Sequence, residues 1–253
     1  MAALGTFTPG GYRYVRGPFQ YSGGVAAEPG FRIVRERFAT PVPIEAGFMR
    51  IESRLREARR PLSALCACEM RSPRQFSEAG FVDFNRAYVG TLESWGIFRD
   101  EENPVARSNV CPEFGALASP CFHAFCYTVP ADEHDCASFV IAGSGEAPEG
   151  DGPYRTRIIR LGDTSTAAMR EKARYVLGEM ERRMGLLGFD WTSATATQVY
   201  TVHDIHPLIA DEIEARGAAR HGLIWHFARP PVEGLDFEMD VRAVAHEWVI
   251  ESG

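Results

Sequence analysis

The sequence predicts an α+β fold built from two tandem copies of one small unit, each a mixed β-sheet with two helices packed on one face. The same order of elements runs through residues 19–130 and again through 136–250: a Gly-rich strand, an amphipathic helix, a β-branched strand, a second helix and two closing strands. A period well over a hundred residues is too long for a solenoid and suits two copies of a small domain. The closing strand alternates cleanly, with Leu235, Phe237, Met239 and Val241 on one side and Asp236, Glu238, Asp240 and Arg242 on the other. Its charged face can line a cleft between units rather than a dry core.

In the first copy, Phe19-Gln20-Tyr21-Ser22-Gly23-Gly24 leads into a Pro/Gly-punctuated hairpin region. Ile44, Phe48, Ile51, Leu55 and Ala58 then recur at spacings of four and three with arginines between them, which is an amphipathic helix. Residues 62–70 are short and apolar and end at Arg71-Ser72-Pro73, a buried strand followed by a helix start. Phe81, Phe84, Tyr88, Leu92 and Trp95 repeat the helical stripe. Residues 106–113 and 121–129 read as strands separated by a turn-like stretch at 114–120.

The polar stretch 130–135 reads as a linker, dividing the chain into residues 1–131 and 132–253. Residues 137–145 give the Gly-ended strand and 150–162 a hairpin arm. Met169, Ala173, Val176, Met180, Met184 and Leu187 form a helical stripe, and a methionine-rich stripe of this spacing is a core face. Residues 194–202 follow as a strand, Pro207 sits in the first turn of a helix reaching about Arg216, and residues 223–227 precede the alternating strand.

Composition narrows the function. With 253 residues, 45% hydrophobic and 24% charged, the chain can bury two cores, and a net charge of -7 offers no broad attraction to phosphate backbones. Nucleic acid is therefore not an expected partner. Neither is a membrane, since no run approaches the ~20 apolar residues of a span. The N-terminal stretch lacks a cationic segment followed by an apolar one, and the expectation is a cytoplasmic protein.

The six cysteines form no disulfide framework and read mainly as small core residues. Cys111, four residues after Arg107, is the exception to watch. His203 and His206 have a short metal-ligand spacing but straddle a strand-to-helix turn with no third ligand evident, so no metal is expected. His123 and His226 read as satisfied core histidines or a site acid. Gly143-Ser144-Gly145 lacks the following helix and the Lys-Ser/Thr of a phosphate loop and reads as a strand-end turn.

Several stretches recur in a telling order. The first copy carries Tyr21-Ser22-Gly23-Gly24, Phe84-Asn85-Arg86-Ala87-Tyr88 and Val105-Ala106-Arg107-Ser108-Asn109-Val110. The second carries Phe139-Val140-Ile141-Ala142-Gly143, Gln198-Val199-Tyr200-Thr201-Val202, Ala219-Arg220 and Phe237-Glu238-Met239-Asp240. Together they resemble, in tandem, the Rid family (reactive intermediate deaminases, also called YjgF-like or L-PSP proteins), with its Tyr-Ser, Asn-x-x-Tyr and Ala-Arg landmarks and its Glu-bearing terminal strand. The resemblance covers nearly everything after residue 18 and implies two Rid-like (chorismate-mutase-like) domains.

The resemblance also implies roles. An Arg holds a substrate carboxylate, and a Glu on the last strand activates water on an imine carbon, which needs neither metal nor cofactor. The first copy keeps Arg107 but has Phe122 or His123 where the Glu would lie; the second keeps Glu238 but departs after Arg220 and lacks Asn-x-x-Tyr. A composite or single-copy site follows, with Glu238 catalytic and Arg107, Arg220, Tyr21 and Cys111 as substrate-binding candidates. The expected activity is hydrolysis of a small carboxylate-bearing imine or enamine, such as an aminomuconate-like compound or a 2-imino acid, with release of ammonia. Chorismatases also resemble two fused Rid-like domains, so a chorismatase-like enzyme is an alternative; a non-catalytic small-metabolite-binding protein is another. Family members usually close three domains around a threefold axis, and two copies per chain make a homotrimer the simplest assembly.

Overall fold

The computed structural model describes residues 3–132, 136–150 and 152–252. In chain order it contains β1 (Leu4–Phe7), β2 (Tyr12–Val15), β3 (Gly24–Ala27), β4 (Phe31–Pro43), α1 (Ile44–Glu57), β5 (Leu65–Arg71), α2 (Glu78–Ser94), β6 (Ala106–Pro112) and β7 (Cys121–Pro130). There follow β8 (Phe139–Gly145), α3 (Thr166–Leu187), β9 (Ala196–Tyr200), α4 (His206–Leu208) with a π-helical continuation (Ile209–Glu214), β10 (Ile224–His226), β11 (Ala228–Arg229), β12 (Glu238–Ala243) and β13 (His246–Ile250). The stripes read from the sequence account for the helices. Phe48, Ile51 and Leu55 are buried along α1, Tyr88, Val89 and Leu92 along α2, and the methionine stripe along α3. Ser77 and Ser165 cap α2 and α3, accepting from the amides of Gly80 and Ala168, and Gly188 ends α3 in the left-handed region at φ 84°.

The strands form a seven-stranded sheet, β1-β2-β3-β8-β12-β9-β10, and a six-stranded sheet, β11-β6-β5-β7-β4-β13. Each half of the chain contributes to both: β1 to β3 join the sheet of β8, β9, β10 and β12, while β11 and β13 join that of β4 to β7. Helices cover the outer faces. Met169, Val176 and Met180 of α3 pack on Phe139, Val199 and Met239, and Ile51 of α1 and Leu92 of α2 pack with Val34, Met70 and Phe125. The inner faces meet in a third core, where Tyr12, Val25 and Ala142 of one sheet touch Ile33, Cys66, Ala106 and Cys126 of the other. Four layers result.

Several expectations need correction. Residues 150–162 are not a hairpin arm: the described part is a 3-10 turn at Tyr154–Thr156, because Pro153 and Gly152 at φ 88° break extended backbone, and Ile158 is drawn into a small cluster with Val232 and Leu235. Position 151, and 133–135 of the expected linker, lie outside the described residues. The closing strand begins at Glu238 rather than 235, since the amide of Leu235 turns back to the Val232 carbonyl. Residues 4–15, left unassigned by the repeat, form two strands.

Two features join the sheets at one level. The amide of Ser22 donates to the Val105 carbonyl at 2.9 Å and that of Ala142 to the Gly23 carbonyl at 3.1 Å, so residues 22–23 bridge β6 and β8. Opposite Asp240, β8 carries one residue more than β12. This bulge turns the Gly143 amide to Ser108 Oγ on β6 at 3.1 Å, and that hydroxyl donates to Asp240 Oδ2 at 2.6 Å.

Candidate active site

Arg107 sits on β6 with only 2% of its surface exposed, and none of its three guanidinium nitrogens has a hydrogen-bond partner among the described residues. Its Cζ lies 4.9 Å from the ring centre of Tyr88, 5.2 Å from Tyr21, 5.5 Å from Phe84 and 5.7 Å from Phe81. Aromatic faces offset part of the cost of burying a cation but satisfy no N–H donor. Burial accordingly lowers the Arg107 pKa from its ordinary value, opposed by Tyr88, Tyr21, Cys68 and Glu238. A rigid five-donor fork held without an acceptor can pair with a carboxylate.

Glu238 is the first residue of β12, paired with Gly145 of β8 and Tyr200 of β9. A buried charge cluster fixes the approach to it. Glu146 accepts from the amides of Asp236 at 2.7 Å and Phe237 at 3.0 Å, while the fully buried Lys172 Nζ contacts Glu146 at 3.2 Å and Asp236 at 2.5 Å. Burial pushes the Glu238 carboxyl well above the usual range, Asp240 and Glu146 push it further, and Arg71 and Arg107 oppose. Such a group retains its proton at pH values where ordinary carboxyls have lost theirs.

Arg107, Glu238, Tyr21 and Asn109 line one small inner pocket together with Gly143, Phe81 and Tyr154. Its free volume of about 20 Å³ has room for about one water. Tyr21, Phe81, Tyr154 and Val232 also wall an outer cavity of about 290 Å³ that reaches Arg157 and Arg183. Aromatic side chains therefore partition the polar pair from the larger space.

Three of the five candidates, Arg107, Glu238 and Tyr21, meet in the inner pocket. Cys111 is buried one strand period beyond Asn109, close enough to Glu238 that the carboxylate adds to burial in pushing the thiol up to about 12. Its thiol is held neutral, which makes it a poor nucleophile, and it does not line the pocket. Arg220 is exposed, in a turn after the π-helical segment with Asp190 nearby, and does not line the pocket. Its resemblance to the family's Arg landmark was local; the long connection to β12 leaves it on the surface.

The histidines are also accounted for. His203 Nε2 pairs with Asp236 Oδ1 at 3.2 Å and the exposed His206 Nδ1 with Asp204 Oδ1 at 2.6 Å, and the described residues contain no cluster of three metal-ligating side chains. His226 bonds Gln198 Oε1 at 3.0 Å and stacks on Tyr200, His123 is held neutral by burial and Arg71, and Phe122 packs in the outer core against Phe48. The sequence reading missed Asn109 and Tyr154 as site residues. Asn109 uses Oδ1 to accept from Ser72, leaving Nδ2 without a partner beside Arg107. The strand period of two carried that signal; for Tyr154 there was none.

Residues 4–248 match the family described as 2-aminomuconate deaminase CnbZ. A 2-amino-5-chloromuconate deaminase from Comamonas testosteroni is 49% identical over 245 residues, covering 96% of this chain and 98% of its own length. Among solved structures, a chorismatase superposes with TM-score 0.54 at 12% identity, covering 91% of this chain and 79% of its own, which is likeness of fold. A member of the YjgF/YER057c/UK114 family from Mycobacterium tuberculosis aligns with 42% of this chain and 78% of its own at TM-score 0.27 and 19% identity.

Proposed function

The chain belongs to the 2-aminomuconate deaminase CnbZ family, and from that premise we propose that the Arg107–Glu238 pocket deaminates a 2-aminomuconate-type substrate hydrolytically. The observation that carries this reading is the buried Arg107 fork, unpartnered and aimed into a pocket that Glu238 also lines. Arg107 and the free Nδ2 of Asn109 bind the carboxylate next to the amino-bearing carbon. Protonated Glu238 delivers its proton to the enamine carbon, giving the iminium. The new cation lowers the carboxyl pKa, and the resulting carboxylate takes a proton from the water that attacks C=N. The tetrahedral carbinolamine then loses ammonia. One water is consumed, and a 2-oxo acid and ammonia are formed.

No metal or organic cofactor has a part in this scheme: an iminium is already electrophilic, and orientation plus one base is sufficient. The free thiols, five of them buried, fit a reducing cytoplasm; among the described residues no helix is long and apolar enough to cross a membrane. A homotrimer is part of the proposal. The exposed edge strand β13, with Trp248 and Val249 open to solvent, supports association of chains. Light scattering at micromolar protein should give three chains, and a monomer would remove the trimer.

Ammonia release from freshly generated 2-aminomuconate tests the reaction. Glu238→Gln should lower turnover by ~100-fold or more with little change in binding, and Arg107→Lys should chiefly raise KM. Arg220→Ala should be indistinguishable from the parent. Full activity in Glu238→Gln would overturn the assignment.

A further inference from the structure

Beyond the Arg107 pocket the outer cavity contains two arginines, and their bonding differs. Arg183 is spent: Nε bonds Glu179 at 2.7 Å, Nη1 lies 3.3 Å from the Ala142 carbonyl, and Nη2 lies 3.4 Å from Ser144 Oγ with Glu149 at 3.7 Å. Arg157 is not. Nη1 is held by the Pro148 carbonyl and its Cζ lies 5.1 Å from the Tyr154 ring centre, yet Nε is buried with no partner among the described residues. The turn that carries it is fixed, because the Tyr154 amide donates to Glu78 Oε1 at 2.9 Å at the start of α2. Arg157 lines a cavity of about 290 Å³ that Glu78 and Glu149 also line; oriented by a carbonyl and a ring and with its Nε unpartnered among the described residues, its guanidinium has capacity left for a second anion.

We infer that Arg157 binds the distal carboxylate of the substrate, so that the enzyme selects dicarboxylates over monocarboxylates of the same length. The inference rests on the Arg107–Glu238 reading, which sets the first carboxylate against Arg107 and the reacting carbon within reach of Glu238. Tyr21, Phe81, Tyr154 and Val232, common to both spaces, then enclose the unsaturated chain between two fixed cations. A flat conjugated chain suits such aromatic walls, and anchoring both ends fixes the position of the carbon that water attacks.

Two stable diene acids separate the anchors. Muconate has a carboxylate at each end; sorbate has the same six-carbon diene with a methyl in place of one carboxylate. By calorimetry the parent protein should bind muconate ~10–100-fold more tightly than sorbate, the range expected for one added charge-assisted pair. Arg157→Gln should abolish that preference and leave sorbate affinity unchanged, which also reports an intact inner pocket. Arg157→Lys should retain part of it. In the parent, muconate monomethyl ester should behave like sorbate, a readout that needs no variant. A preference for muconate that survives in Arg157→Gln, or monoester binding as tight as the diacid, overturns the assignment of Arg157 while leaving Arg107 and Glu238 in place. Arg107→Met that binds both acids like the parent overturns the inner-pocket reading and this inference with it.

Discussion

Gly143 and Glu238 are in contact across the β8–β12 bulge: a Cβ added to Gly143 would lie 2.1 Å from Glu238 Oε1 and 3.2 Å from the Cα of Ser108. The missing side chain is therefore the space in which the carboxyl sits. Gly143→Ala should displace the carboxyl or part the strands. Turnover should fall by about 100-fold, the penalty for misplacing a catalytic group by about an ångström. Stability should fall by about 1–3 kcal/mol because the added methyl overpacks the site. Kinetics alongside a denaturant melt check both, and a parent-like turnover would mean that Glu238 acts from elsewhere.

Glu238 should also cost stability. Its folded pKa is raised by burial and by Asp240 and Glu146, so its contribution is fully present below the unfolded value of about 4.3 and is lost as pH rises through the folded pKa. Gln does not titrate. Glu238→Gln should therefore be more stable than the parent at alkaline pH, and the gap should shrink on acidification. A Tm difference independent of pH between about 5 and 9 would show that the carboxyl is not perturbed in this direction.

What the sequence disclosed follows from which signals are local. The α1 and α3 stripes and the alternation over 238–242 were legible because each reports one face of one element, and the strand positions of Arg107 and Glu238 were legible because their neighbours in sequence set those strands. The pairing of β13 with β4 was not, because partners such as Trp248 and Glu36 lie far apart in the chain. Arg157 was invisible for a different reason. It follows a Gly/Pro-rich turn with no periodicity, and only the packing of that turn against Glu78 and Val232 brings it to the cavity. Arg220 is the converse case, a local likeness on an exposed turn outside the inner pocket.

Thiol chemistry should separate the cysteines sharply. Burial raises the thiols of Cys66, Cys68 and Cys126, burial with Glu238 pushes Cys111 up to about 12, and Cys136 is the exposed one. An aromatic disulfide reagent at mildly alkaline pH should modify Cys136 at once and leave Cys111 intact until the protein unfolds. Cys111→Ser should keep most of the activity, since a neutral buried thiol outside the pocket lining needs only to be matched in size. Rapid loss of activity on modification, surviving Cys136→Ser and abolished by Cys111→Ser, would restore Cys111 as a reactive site residue.

His226 should make the protein acid-sensitive before its carboxylates do. It bonds Gln198, which in turn bonds Asp240 at 2.7 Å, and burial, assisted by Arg71 and opposed by Glu69, pulls its pKa down to about 4. With the folded pKa below the unfolded value of about 6.5, its stabilising contribution is present above the unfolded value and is lost as pH falls toward the folded one. The parent should therefore lose stability on acidification from about pH 6.5 to about pH 4, while His226→Gln, which cannot charge, should lose less over that interval. His226→Gln should start lower at neutral pH, because the stacking on Tyr200 at 4.9 Å is weakened, and the two curves should converge in acid. Parallel curves across the window would mean that His226 carries no proton-linked stability.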